Sequence, residues 1–157
     1  MKKAEKYEAL LQEVEALVGS ETDEIANMAN VAAAIYARFG FHWVGFYRVM
    51  PTADGAGEEL VLGPFQGPVA CTRIRCGRGV CGTAWKERRT LIVPDVEQFP
   101  GHIACSSLSR SEIVVPLFSN DGEVQAVLDI DSKELATFDD VDRQYLEGIC
   151  QLITVDI

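Results

Sequence analysis

The sequence has little positive charge. It carries 14 lysine and arginine residues against 24 aspartate and glutamate residues, and its formal net charge at pH 7 is −10. Nucleic-acid-binding proteins need clustered basic side chains. The short basic run 86–89 is more typical of one solvated helix end. The sequence therefore predicts no nucleic-acid partner.

Long apolar segments are also missing. No run approaches the roughly 20 apolar residues that span a bilayer. The charged N-terminus, 1–6, is not followed by the apolar segment of a signal peptide. We therefore expect a cytoplasmic protein without a membrane partner, whose thiols are kept reduced.

The five cysteines lack the spacing of a zinc site, in which ligands come in pairs two to four residues apart. Cys71, Cys76, Cys81 and Cys105 are separated by wider gaps and flanked by glycines, so we expect no metal. Cys150 lies on the apolar stripe of a predicted helix and is expected in the core. For the other four, redox chemistry and simple burial remain the alternatives.

The periodicity of apolar residues predicts an α+β fold. Helices are expected over 2–18, over 25–39 (with a capping box of Ser20 and Asp23), after 77–82, and over 138–155 (with Thr137 or Asp139 as the cap). Strands are expected over 41–49, 59–65, 70–74, 90–93, 113–118 and 124–130. The sequence Asn-Asp-Gly at 120–122 predicts a hairpin between the last two strands. We predict one domain, 1–157: a central antiparallel sheet with the N- and C-terminal helices packed on one face and loops forming a pocket on the other.

Alternation along the first predicted strand places Phe41, Trp43, Gly45 and Tyr47 on one face. The opposite, aliphatic face suits packing against helices. Two aromatic rings around a glycine suit a pocket wall, because glycine leaves room between them. An aromatic core cluster explains the pattern equally well.

The segment 94–111 is long and has no apolar period, which is typical of a functional loop. It contains Cys105, with His102 and Arg110 nearby in sequence, so this thiol could have the positive polarity and access that a thiolate needs. Cys81, in the first turn of a predicted helix, could be a thiolate too, but the residues after it indicate burial. The pattern favours redox-active cysteines in a small ligand-binding domain.

Seven segments together resemble the free methionine-(R)-sulfoxide reductase family, a branch of the GAF fold. They are WVGFY (43–47), GPFQG (63–67), ACTRI (70–74), GRGVCGTA (77–84), GHIAC (101–105), SEIVVP (111–116) and VLDIDS (127–132). The resemblance covers essentially the whole chain. Its three-cysteine pattern is absent from GAF sensors that bind cyclic nucleotides, bilins or haem.

The resemblance implies roles for the thiols. Cys105 matches the catalytic cysteine and Cys71 the resolving one, while Cys81 matches a third, catalytic-site cysteine of less certain role. Ile103 and Ala104, next to Cys105, match substrate-binding positions. Arg75-Cys76 stands where the family usually has an apolar pair. This leaves open whether Cys76 competes with Cys71, although a bystander is favoured.

The resemblance also implies a substrate pocket. Trp43 and Tyr47 match the aromatic wall around the thioether end of the substrate. Glu112, Asp129 and Asp131 match the carboxylates that bind the substrate ammonium and polarise the sulfoxide, with Glu112 and Asp131 also counted as catalytic. Clustered carboxylates raise one another's pKa, so at least one should stay protonated near neutral pH.

The implied reaction is reduction of free L-methionine (R)-sulfoxide. The Cys105 thiolate would form a sulfenic acid and then an intramolecular disulfide with Cys71, which NADPH-linked thioredoxin would reduce. No bound cofactor is expected, and a homodimer is possible through the first helix. The alternative is a stand-alone GAF sensor of a small ligand or of redox state, without catalytic turnover.

Overall fold

The structure is a computed structural model that describes residues 1–102 and 108–153. Its helices are α1 (Lys3–Val18), α2 (Glu24–Phe39), α3 (Gly79–Glu87) and α4 (Asp140–Leu152), with a short 3₁₀ helix at Val96–Gln98. Its strands are β1 (Trp43–Pro51), β2 (Glu58–Gln66), β3 (Arg73–Ile74), β4 (Leu91–Val93), β5 (Ser111–Phe118) and β6 (Val124–Ser132). None of the described helices has the length and apolar character needed to cross a membrane.

The six strands form one antiparallel sheet in the order β3-β2-β1-β6-β5-β4. Helices α1, α2 and α4 pack on one face, where their apolar stripes meet the inward side chains of the central strands. A second apolar cluster, to which α3 contributes, lies on the other face. The predicted α+β fold, with the first and last helices on one face of an antiparallel sheet, is confirmed.

The alternation predicted for β1 is correct inside the strand but wrong at its start. Val44 and Phe46 are fully buried against the helices, as expected. Phe41 does not share the opposite face with Trp43, because β1 begins only at Trp43. Phe41 instead stacks on Phe39 and packs against the helix-side cluster.

The N-caps of two helices can be compared with the sequence prediction. One differs from it, and the other decides between two predicted residues. Asp23, rather than Ser20, is the N-cap of α2, because its carboxylate accepts a hydrogen bond from a backbone N–H of the first turn. Asp139, rather than Thr137, caps α4, and it forms a capping box with Asp142.

The third strand is shorter than predicted. Only Arg73 and Ile74 pair with β2, so the prediction of a strand over 70–74 is wrong. The backbone carbonyl of Cys71, outside the strand, accepts a hydrogen bond of 3.0 Å from the Tyr47 hydroxyl. This side-chain contact holds the segment that contains Cys71 beside β1.

We expect replacement of Asp142 by alanine to destabilise the fold. The buried Asp142 carboxylate accepts hydrogen bonds from the Tyr7 hydroxyl at 2.5 Å and from the Lys3 ammonium at 2.7 Å, and thereby joins α1 to α4. Tyr7 has no exposed surface, so its hydroxyl would be left buried without this acceptor. The free energy of unfolding in urea should fall by about 2–4 kcal/mol.

Asp140→Ala is the matched control, because Asp140 is on the same helix and its side chain is 85% exposed. Its pairing with Arg143 should contribute less than about 0.5 kcal/mol to the free energy of unfolding. Equal losses of stability in the two variants would contradict the role given to Asp142.

Candidate active site

A cavity lies on the face of the sheet opposite α1, α2 and α4. The space that it encloses together with its opening to solvent is about 570 Å³. Six of the predicted site residues line it: Trp43, Tyr47, Cys81, Glu112, Asp129 and Asp131. The predicted pocket on this face is therefore present, and strands, α3 and loops all contribute to it.

The register of the central strands brings the acidic and aromatic residues together. Asp131 on β6 lies opposite Trp43 on β1 and opposite Glu112 on β5, so the three form a row across the sheet. Asp129 lies two residues earlier on β6, opposite Gly45. Since alternate residues share a face, both aspartates project into the same cavity.

Trp43 and Tyr47 form one wall of the cavity and are almost fully buried. Their rings stack with centroids 5.9 Å apart, and the indole also stacks on Phe65 at 5.2 Å. The indole N–H donates a hydrogen bond of 3.0 Å to the carbonyl of Pro68. The two interpretations left open by the sequence both apply, because these rings belong to the apolar cluster and also face the cavity.

Two glycines make room for the indole. A Cβ on Gly45 would lie 2.5 Å from the Cη2 atom of Trp43 and 2.4 Å from the Cβ of Phe65. A Cβ on Gly67 would lie 2.8 Å from the Cδ1 atom of Trp43. The orientation of the indole therefore depends on the absence of side chains at both positions.

Glu112 and Asp131 are carboxyls whose surroundings favour the protonated form. Burial raises the pKa of Glu112 well above 4.5, and the charges of Asp129 and Asp131 raise it further. Burial and then the charge of Asp129 raise the pKa of Asp131 well above 3.8. Both groups can therefore act as acids near neutral pH.

Asp129 differs from its two neighbours. Burial raises its pKa, but hydrogen bonds from Glu112 and Cys81 act in the opposite direction and favour its carboxylate form. Its Oδ1 atom is buried and has no hydrogen-bond partner among the described residues. Asp129 is thus the member of the cluster best suited to carry the negative charge and to accept a cationic group.

Cys81 lies against this acidic cluster, in the first turn of α3. Its sulfur and carboxyl oxygens of Glu112 and Asp129 lie within 4.8 Å of one another. Burial raises the pKa of the Cys81 thiol well above 9.0, and the neighbouring carboxylates add to this effect. The predicted burial of Cys81 is confirmed, and it outweighs the stabilisation of a thiolate by the helix N-terminus.

A thiol and two carboxyls at these distances could in principle hold a divalent cation. Metal ligands must first lose their protons, and the raised pKa values of Cys81, Glu112 and Asp129 oppose that loss. We interpret the cluster as a site that holds protons. The expectation of no metal stays a prediction.

Two residues that the sequence patterns did not indicate also line the cavity, His102 and Arg78. His102 Nε2 lies 3.9 Å from Glu112 Oε1. Burial lowers the pKa of His102, with partial opposition from the charge of Asp129, so the imidazole is neutral at pH 7. Neither residue follows an apolar period, and only the proximity of His102 to Cys105 in the chain hinted at a role.

The other predicted thiols have different surroundings. Cys71 is disulfide-bonded. Cys76 is an exposed free thiol outside the cavity lining, as expected of a bystander, and Cys150 is buried in the core as predicted. Cys105, like Ile103 and Ala104, lies outside the described residues.

Comparisons with known proteins agree with this fold and site. The family model described as GAF domain matches residues 22–155. The chain is 58% identical to GAF domain-containing protein A of Dictyostelium discoideum, over 96% of this chain and 92% of that protein. It is 42% identical to the free methionine-R-sulfoxide reductase of Saccharomyces cerevisiae, over 98% of this chain and 86% of the relative.

A solved structure gives the same result. The free methionine-R-sulfoxide reductase of Neisseria meningitidis, solved in complex with its substrate, superimposes with a TM-score of 0.90 at 53% identity. The match covers 98% of this chain and 89% of that one. This chain therefore belongs to the GAF domain family and, within it, to the free methionine-R-sulfoxide reductase family of oxidoreductases.

Proposed function

We propose that this protein reduces free L-methionine (R)-sulfoxide to L-methionine. The observation that carries the proposal is the pairing of two kinds of carboxyl group in one buried pocket. Burial raises the pKa of all three carboxyls, well above the ordinary values for Glu112 and Asp131 and less for Asp129, where hydrogen bonds from Glu112 and Cys81 act in the opposite direction. Asp129 is therefore the first of the three to ionise, and its buried Oδ1 atom has no hydrogen-bond partner among the described residues. A free amino acid with a sulfoxide needs both kinds of partner.

The aromatic wall accommodates the thioether end of the substrate. Trp43 and Tyr47 offer apolar ring surface beside the carboxyl groups, so the methyl and methylene groups can be buried while the sulfoxide oxygen meets an acid. Tyr47 itself stays protonated, since burial and the charge of Asp129 raise the pKa of its hydroxyl.

Asp129 supplies specificity for the free amino acid. Its buried oxygen can pair with the substrate ammonium, and a charge-assisted hydrogen bond in a buried site is strong. A methionine sulfoxide inside a peptide has an uncharged amide at this position. A bound peptide would leave the Asp129 carboxylate buried without a partner. The free-energy cost of a buried, unpaired carboxylate excludes the peptide from the site.

The first chemical step requires an acid and a nucleophile. The Cys105 thiolate attacks the sulfoxide sulfur while Glu112 or Asp131 protonates the oxygen, which is a poor leaving group without a proton. A transient bond forms between the two sulfur atoms. The protonated oxygen then moves from the substrate sulfur to the Cys105 sulfur, the sulfur–sulfur bond and the substrate sulfur–oxygen bond break, and methionine leaves. The oxygen is retained on Cys105 as a sulfenic acid.

The second step regenerates the enzyme. The Cys71 thiol condenses with the sulfenic acid, which forms a Cys71–Cys105 disulfide and releases water. A dithiol protein such as thioredoxin, kept reduced by NADPH through its reductase, then reduces that disulfide. The hydrogen bond from Tyr47 to Cys71 supports this role, because it keeps Cys71 beside the pocket wall.

A coupled assay tests the proposed function. With thioredoxin, its reductase and NADPH present, addition of free methionine sulfoxide should start NADPH oxidation at a rate proportional to the concentration of this protein. Substrate binding without NADPH oxidation would contradict an enzymatic role and favour a sensor.

We expect Cys71→Ser to keep the first turnover and lose recycling. Without a resolving thiol, one methionine should form per protein in a rapid burst and steady-state turnover with thioredoxin should cease. Quenched-flow measurement of methionine separates the two phases.

Cys76→Ser is the matched control for this experiment. Because Cys76 is exposed and lies outside the cavity lining, this variant should retain both the burst and steady-state turnover. The opposite pattern, with recycling lost in Cys76→Ser and kept in Cys71→Ser, would transfer the resolving role to Cys76.

Gly45→Ala should weaken substrate binding through Trp43. The added methyl group would overlap the indole and Phe65, so the indole must move from the wall. We expect KM to rise about tenfold, the cost of a contact worth roughly 1.4 kcal/mol, with a shift in tryptophan fluorescence. Gly57→Ala, where a Cβ meets nothing within 4 Å, is the control. An unchanged KM in Gly45→Ala would contradict the role of the wall.

A further inference from the structure

The basic side chains of this acidic protein are unevenly distributed. The segment 73–89 contains six of the 14 lysine and arginine residues and only one of the 24 acidic residues. The remainder of the chain therefore has a strong excess of negative charge. An uneven field of this kind orients charged partners during encounter.

The fold gathers three of these residues into one exposed patch beside the pocket. Arg75 and Arg78 belong to a tight turn, closed by a hydrogen bond of 3.1 Å from the Arg78 N–H to the Arg75 carbonyl. The Lys86 side chain on α3 reaches this turn, with its Nζ atom 3.9 Å from the position of a Cβ on Gly77. We call Arg75, Arg78 and Lys86 the basic patch.

The charges of the basic patch are available to a partner. All three residues are exposed, and none forms an ion pair with a carboxylate of a described residue. The two arginines that follow α3 differ, since Arg88 pairs with Glu123 and Arg89 with Glu87.

The basic patch also borders the place where the proposed disulfide must be reduced. Arg78 lines the cavity, as does Ala70, the residue before Cys71. A protein that reduces a disulfide of Cys71 must bring its own thiols to this side of the molecule and must therefore approach the patch.

We propose that the basic patch is the docking surface for the protein reductant, an acidic protein that presents a dithiol. This inference rests on the proposed function. Attraction to the patch and repulsion by the acidic remainder of the surface favour the orientation in which the partner thiols face Cys71. The exchange itself is balanced: a partner thiolate attacks the disulfide, a mixed disulfide forms, and the second partner thiol releases this protein with both cysteines reduced.

The test compares two reductants in the full-length double variant Arg75→Glu/Lys86→Glu. Arg78 is left intact because it lines the cavity. With an acidic thioredoxin as the reductant, kcat/KM for thioredoxin should fall at least tenfold, and its decrease with added salt should become shallower. With dithiothreitol, which is small and uncharged, turnover should be unchanged.

The double variant Lys2→Glu/Arg143→Glu is the matched control, because it changes the net charge equally at exposed positions beside α1 and on α4, which pack on the opposite face of the sheet. It should retain most of the wild-type kcat/KM for thioredoxin. An equal loss in both double variants, an equal loss with both reductants, or no loss with thioredoxin would overturn the inference. A wild-type protein that reduces free methionine sulfoxide with neither reductant would instead contradict the proposed function.

A different contact carries a second inference. His102 Nε2 lies 3.9 Å from Glu112 Oε1, and the His102 side chain is 18% exposed where that of Glu112 is 8% exposed. After Glu112 gives its proton to the sulfoxide oxygen, this buried carboxylate needs a new one. Catalytic hydrogen bonds in unliganded proteins are often long and shorten in the complex.

We propose that His102 returns protons from solvent to Glu112, again on the basis of the proposed function. The groups that share the cavity with His102 are Arg78, Cys81, Glu112, Asp129 and Asp131. Of the three carboxyls, Glu112 is the one that lies within ion-pair distance of the imidazole, at 3.9 Å, so a small movement would bring the two groups into hydrogen-bond contact. The imidazole accepts a proton on one nitrogen and releases one from the other.

Chemical rescue tests this proposal. In His102→Gln, kcat should fall about tenfold or more, and added imidazole should restore a substantial part of it. His42→Gln, which replaces the other of the two histidines, should leave kcat unchanged and insensitive to imidazole. An unchanged kcat in His102→Gln, or a loss that imidazole does not relieve, would overturn the assignment.

Discussion

Glu112→Gln is expected to lower kcat/KM for free methionine (R)-sulfoxide by about 10²–10⁴-fold, the usual contribution of a general acid. The amide keeps the size of the side chain and can still donate a hydrogen bond, but it cannot transfer a proton. The loss should fall mainly on kcat, because the aromatic wall and Asp129 still bind the substrate. Steady-state kinetics with dithiothreitol as the reductant measure this without the protein partner.

The same substitution should make the protein more stable at alkaline pH. The folded state raises the pKa of Glu112 above 4.5, so folding opposes its ionisation. The unfolded chain loses this proton near its ordinary pKa, and the wild type therefore loses stability as the pH rises from there through the folded pKa. Glu112→Gln removes that loss, and the two proteins should be equally sensitive to urea near pH 4 while the variant is more stable at pH 8.

Lower activity together with higher stability at alkaline pH would distinguish a chemical role of Glu112 from a structural one. Substitution of a residue that is needed only for folding would lower the activity and the stability of the protein together. Glu97→Gln, the same chemical change at an exposed position, should alter neither. A Glu112→Gln protein that is less stable than the wild type at pH 8 would contradict the assignment of Glu112 as a buried acid whose ionised form destabilises the fold.

Cys105→Ser is expected to abolish reduction in both the first and later turnovers. A hydroxyl is a far weaker nucleophile than a thiolate near neutral pH and cannot form a sulfenic acid. Substrate should still bind, since Trp43, Tyr47 and Asp129 are intact, and a change of tryptophan fluorescence on titration with the sulfoxide would report this binding. Turnover at the wild-type rate in Cys105→Ser would reject the proposed nucleophile.

Local patterns predict much of the fold. The apolar stripes of the helices, the alternation inside β1 and the hairpin between β5 and β6 follow from residues that are near one another in the chain. The errors arise at element ends, where tertiary contacts decide. Phe41 packs with Phe39 because β1 starts after it, and Cys71 lies outside β3 with its carbonyl hydrogen-bonded to the Tyr47 hydroxyl.

The site was predictable only in part from local sequence. Asp129 and Asp131 share a face of one strand, and the β5–β6 hairpin brings Glu112 opposite Asp131. The approach of Trp43 to Asp131, by contrast, depends on pairing between strands more than 80 residues apart. The resemblance to a known family supplied that contact, and periodicity could not.

The basic patch shows another limit of the sequence. The segment 73–89 is enriched in basic residues, but Arg75, Arg78 and Lys86 are spaced along it, so the sequence does not show that they meet. A turn that folds back on α3 brings them together.

The most direct test of the account is a comparison of three substrates under steady-state conditions: free methionine (R)-sulfoxide, free methionine (S)-sulfoxide, and the (R)-sulfoxide within a short peptide blocked at both ends. We expect reduction of the free R epimer alone, because the proposed pairing of Asp129 with a free ammonium excludes the blocked peptide and because the relatives of this chain are named methionine-R-sulfoxide reductases. Reduction of the peptide at a comparable kcat/KM would contradict the proposed role of Asp129.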